Sequence, residues 1–118
     1  MKFLKLLFLA SLTVPQASYA ARFDITADVG QIRYHEASNS LAPAWHKHVW
    51  VGLDSPDQNP NCQLFNGQVG ISIPDGNEPA LSMLLAAKMA GKKVLITIDD
   101  EITFPSGKWC KLQYVTIK

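Results

Sequence analysis

Residues 69–99, VGISIPDGNEPALSMLLAAKMAGKKVLITID, decide how this chain folds. Val69, Ile71 and Ile73 alternate with Gly70 and Ser72, the period-2 pattern of a half-buried strand. Pro74-Asp75-Gly76-Asn77 breaks that strand, and helix formers then run from Glu78 to Ala90. Asn77 or Asp75 is placed to cap the first amides, Pro79 suits the first turn, and Glu78 favours the positive end of the helix dipole. Leu81, Leu84, Leu85 and Lys88 fall at i, i+3, i+4 and i+7, with Ala80, Met83 and Ala87 alongside. Gly91 is the expected left-handed C-terminal residue. Val94, Ile96 and Ile98 then alternate as a second strand. The stretch reads strand, helix, strand.

Outward from it, Asp99-Asp100-Glu101 reads as the solvated end of that strand, Ile102–Lys108 as a loop, and Cys110–Ile117 as the last strand. Toward the N-terminus, Phe23, Ile25 and Ala27 alternate with polar residues until Gly30 interrupts, and Ile32 and Tyr34 continue. This is one long bent strand or two short ones. Residues 38–44 form a loop. His48–Asp54 reads as a second strand, with Val49, Val51 and Leu53 on one side and His48, Trp50 and Gly52 on the other. The polar, proline-bearing 54–61 (DSPDQNPN) is a surface loop without the order of an EF-hand. Gln63–Ile73 is the third strand, with Asn66-Gly67 as a turn or bulge near its start. The fold class is therefore mainly β with one helix, ordered β-β-β-α-β-β. That is the order of an OB-fold, a small barrel closed at one end by the helix. The alternative is an open α+β sheet with the helix on one face.

The first twenty residues stand apart. Lys2 and Lys5 give a positive start, Phe3 to Val14 is an apolar run, and Ser18-Tyr19-Ala20 offers the small residues a signal peptidase reads. We expect a signal peptide over 1–20 and a single domain over 21–118. The run is too short to span a bilayer, so an exported protein, periplasmic or secreted, is expected, with no membrane span after cleavage. Removing Lys2 and Lys5 from eleven Lys and Arg leaves nine against ten Asp and Glu, a charge near −1. With no basic excess, a nucleic-acid partner is not expected. Cys62 and Cys110 survive cleavage, in no CxxC pair, and most simply form one disulfide. Closing so long a loop stabilises by roughly 4 kcal/mol on the chain-entropy view.

Motifs for catalysis are absent: there is no G-x-S-x-G, H-E-x-x-H or phosphate-cradling glycine loop. His46 and His48 would share one strand face, and His35 would have to approach as a third ligand for a zinc site. A partly exposed strand face beside Trp45 and Trp50 explains the histidines as well. The expectation is a non-enzyme with no cofactor and no metal. Recognition remains, and Tyr34, Trp45, Trp50 and Trp109 are the candidate ligand-binding residues, because indole and phenol rings stack on sugar faces. Against this, Trp50 and Trp109 would equally cover the core and the disulfide.

The pattern C…VGISIP…LSMLLAAKMAGKKVLITID…GKWCKLQYVTIK, from Cys62 to the C-terminus, resembles small exported bacterial proteins related to the B subunits of subtilase-cytotoxin and pertussis-like toxins. There a Cys-led strand precedes an Ala- and Leu-rich helix, a Gly-Lys or Gly-Gln step starts a strand, and a second Cys precedes the last strand. The resemblance covers about half the mature chain and implies an OB-fold, a ring-shaped homo-pentamer and binding of cell-surface glycans. It transfers no site residue, since the sugar contacts of those subunits lie toward the N-terminal half. The expected function is an exported glycan- or receptor-binding module. The alternative is a monomeric periplasmic or secreted interaction or inhibitor protein with a protein partner.

Overall fold

A computed structural model describes residues 22–58 and 60–118. The expected leader 1–20 lies outside the described residues, as do Ala21 and Asn59. Among the described residues, six strands and one helix follow in the order β1 (Arg22–Tyr34), β2 (Val49–Asp54), β3 (Leu64–Phe65), β4 (Gln68–Ile73), α1 (Glu78–Ala90), β5 (Val94–Thr103) and β6 (Cys110–Ile117). A 3-10 turn, Pro43–Trp45, sits in the loop between β1 and β2.

β1 is one strand serving two neighbours. Its first half, Arg22–Ala27, pairs antiparallel with β5, and its second half, Asp28–Tyr34, pairs with β2. Between Val29 and Ile32 the register slips against β2, so the Gly30-Gln31 step is a bulge that bends the strand from one partner to the other. β2 pairs with β4, β4 meets β6 in a short parallel contact at Ile71–Ser72, and β6 returns to β5. The five long strands therefore close into a ring, and the alternative of an open sheet is not the one formed. Ser72 Oγ donates to Cys110 O (3.2 Å) inside the narrow parallel seam. The Cys62–Cys110 disulfide ties the chain before β3 to the start of β6, spanning 48 positions.

The interior is filled by the alternating residues of every long strand: Ile25, Ala27, Val51, Leu53, Val69, Ile71, Ile73, Val94, Ile96 and Ile98 are nearly or wholly excluded from solvent. α1 leaves the end of β4 and returns to β5, adding Ala80, Leu84 and Ala87 to that core. Asn77 Oδ1 accepts from Ala80 N at its start, and Gly91 takes φ 66° at its end.

Four expectations need correction. The third strand is a hairpin: Asn66-Gly67 turns the chain, leaving a short β3 against β4, because both residues take positive φ. The loop after β2 is at the surface, as expected, and is tied to β1 by Asp57 N donating to Thr26 O (3.0 Å) and Thr26 N to Asp57 Oδ1 (2.9 Å). The acidic triplet does not end a strand. β5 runs on to Thr103, and residues 99–102 are extruded from the β5–β6 pairing; Glu101 is exposed, whereas Asp99 and Asp100 are half-buried and Asp100 Oδ1 has no hydrogen-bond partner among the described residues. Alternation in β6 also breaks, because a register shift at Gln113 leaves Tyr114 half-exposed and turns Val115 onto the core. On α1 the buried stripe is Ala80, Leu84 and Ala87. Leu85 is exposed, because the small alanines let the helix lie close while Lys88 Nζ reaches Gly30 O at the rim (2.7 Å).

Candidate ligand-binding site

The sheet has a second apolar surface, on the outer face of β1, β2 and β4. Arg33, Trp50 and Ser72 lie in one cross-strand row, and Gly52 pairs with Gly70 in the next. These two glycines leave a flat floor. A methyl group on Gly70 would run into the rings of Trp109 and Trp50, and one on Gly52 would meet Gln68 and Trp50. Glycine inside a strand weakens it and marks a place where something must come close. Here it is the indoles.

Two strands and two loops supply the rings. Trp50 rises from β2 and meets Trp109 edge-on, with centroids 5.8 Å apart. Trp45, on the 3-10 turn, meets the other side of Trp109 at 6.2 Å. Phe65 from β3 stands perpendicular to Trp50 at 5.7 Å, and the Arg33 guanidinium lies about 5.5 Å from the Trp50 and Phe65 rings. His35 packs on Trp45 at 4.9 Å. Between them is a recess of about 180 Å³ lined by Arg33, His35, Ala42, Trp45, Trp50, Phe65 and Trp109. Trp50 is 3% exposed, yet its Nε1 has no hydrogen-bond partner among the described residues. A buried indole N–H ordinarily finds an acceptor, and leaving one unmet costs about 1–3 kcal/mol.

The loop of residues 35–48 that walls the recess is held through its backbone. His35 N and His35 Nδ1 both donate to His48 O (3.1 and 2.9 Å), Lys47 N donates to His35 O (2.7 Å), and His48 N donates to Trp45 O (2.8 Å). The His48 ring faces Phe104 at 4.7 Å, and its Nδ1 accepts from Asp75 N (2.9 Å). Partial burial holds the His48 imidazole below its ordinary value of 6.5, with the neighbouring His46 and His35 acting the same way and Asp75 opposing. His46 donates through Nδ1 to Pro43 O (3.1 Å) and lies 5.6 Å from the His48 ring. His46 stands on a turn and His48 just before β2, rather than on the strand face expected of them, and no group of three His, Cys, Asp or Glu among the described residues is placed to hold a metal ion.

Of the four aromatic candidates, the fold gathers Trp45, Trp50 and Trp109 and leaves Tyr34 out. Tyr34 is 56% exposed and follows Arg33 on β1, so it points to the opposite side of the strand and lines a different crevice beside Pro74 and Leu81. Trp45 and Trp50 are buried instead of forming an open platform, because the glycine floor and the 35–48 loop fold them in. Arg33, His35 and Phe65 complete the recess without having been expected there. The usable signal was the glycine in each of two adjacent strands, Gly52 and Gly70. No family model, no curated protein and no solved structure matches the chain.

Proposed function

We propose that this is an exported, non-enzymatic binding module whose tryptophan-lined recess takes a carbohydrate. The observation that carries the reading is a cavity walled by indole rings with a buried, unpartnered Trp50 N–H beside it. Sugars offer apolar C–H faces for the rings. The position supports it as well. In OB-type folds the ligand face is formed by the second and third long strands with the loops before the second and before the last. Here those are β2, β4, the 35–48 loop and Phe104–Trp109. The disulfide fits an oxidising, exported environment, and no helix among the described residues is long and apolar enough to cross a membrane. The resemblance to toxin B subunits points to the same ligand class.

The test is a glycan array probed with the oxidised mature chain. Binding to a chemically related set of glycans is expected, and a blank array would contradict the reading. A second observation favours a protein contact elsewhere: Leu85 and Met89 stand exposed along one side of α1. They suit either a subunit interface of the toxin-like pentamer or a separate protein partner. Light scattering separates the two, a mass near five protomers supporting the ring and a monomer the partner.

A further inference from the structure

We propose that mild acid opens this recess, through protonation of His48 and loss of its bond to the Asp75 amide, so that ligand is held at neutral pH and released below it. The proposal rests on the reading that the recess binds ligand. Its geometry stands independently.

His48 is the node where three segments meet. Its backbone carbonyl and amide fasten His35 and Trp45, the two walls contributed by the 35–48 loop. Its ring fastens that loop to the turn before α1 through Asp75 N, and rests on Phe104, whose own N donates to Trp109 O (3.0 Å). A backbone amide can only donate, so Nδ1 of His48 must present its lone pair, and the neutral ring carries its proton on Nε2. A second proton can enter only at Nδ1. It would set two N–H groups against each other where a 2.9 Å bond now stands. The resulting cation faces His46 and His35 from the loop, with Lys47 its chain neighbour, and Asp75 from the turn. From the β5–β6 loop the uncharged Phe104 packs against it. Burial and two imidazoles oppose the charge and Asp75 favours it, so protonation comes below the ordinary value and costs the loop its tie.

The experiment needs no ligand, because all three tryptophans lie in the cluster and report on it. Tryptophan emission of the oxidised mature chain is followed from about pH 8 to about pH 5, with His48→Gln and His46→Gln alongside. A glutamine oxygen can still accept from Asp75 N but does not titrate. The wild type and His46→Gln should show a reversible shift centred below the ordinary histidine value, and His48→Gln should lose it. A flat wild-type profile, or the same transition in His48→Gln, overturns the proposal. Should His48→Gln fail to fold, imidazole nitrogen NMR of the wild type decides. Nδ1 of His48 should be unprotonated near neutrality, and the Asp75 amide should shift with the His48 ring; a protonated Nδ1, or an Asp75 amide that ignores the titration, overturns it. A blank glycan array with the transition intact would remove the carbohydrate reading and leave the opening of the loop standing.

Discussion

Single residues on the outer face carry more of this account than any in the core. Gly70 is the sharpest case, since any side chain there meets both Trp109 and Trp50. Gly70→Ala should cost about 1–3 kcal/mol of stability, as overpacking at a closed site does, and urea unfolding would measure it. Titration supplies the second residue-scale prediction. The Asp24 carboxylate is held below its ordinary 3.8, first by the Thr97 hydroxyl, which donates to it at 2.7 Å, and then by Arg22. His48 is likewise held below 6.5. In both cases the unfolded chain takes up the proton first as pH falls, so both contributions are present above the ordinary values and are lost below them. The urea midpoint should therefore drop in two stages, one beginning below 6.5 and one below 3.8, with His48→Gln removing the upper stage and Thr97→Val reducing the lower.

The elements divide by how local their signals are. α1 was legible to the residue because its start and stop are written in the chain: Asn77 caps it and Gly91 ends it in the left-handed conformation. Asn77→Ala should cost about 1 kcal/mol, and Leu84→Ala, at a site wholly inside the core, about 2–5 kcal/mol, both by thermal or urea unfolding. The bend of β1 was legible in Gly30. Register was not. The slip at Gln113 and the extrusion of residues 99–102 are set by which strand lies opposite, and the pattern of one strand does not contain its partner. The same limit hid the site. Trp109 lies far in sequence from Trp45 and Trp50, and only the Gly52–Gly70 pairing shows that indoles on this face are folded inward rather than displayed.

At the scale of the whole molecule, a closed ring of strands holds one core inside and a smaller aromatic cluster outside, and the disulfide joins them. Cys110 is buried in the core and directly follows Trp109. Reduction should therefore loosen the recess as well as lower stability, by roughly 4 kcal/mol on the chain-entropy view, and tryptophan emission should move with the unfolding curve. The central claim is that the outer cluster is a binding site and not only a cover over the sheet. Trp109 is the ring that tests it, being half-buried and shared between Trp45 and Trp50. The decisive measurement is a glycan array read for the oxidised wild type beside Trp109→Ala, with circular dichroism showing that the variant keeps its fold. The account predicts a related set of glycans bound by the wild type and lost from the variant. A folded variant that binds the same set with the same strength would contradict it.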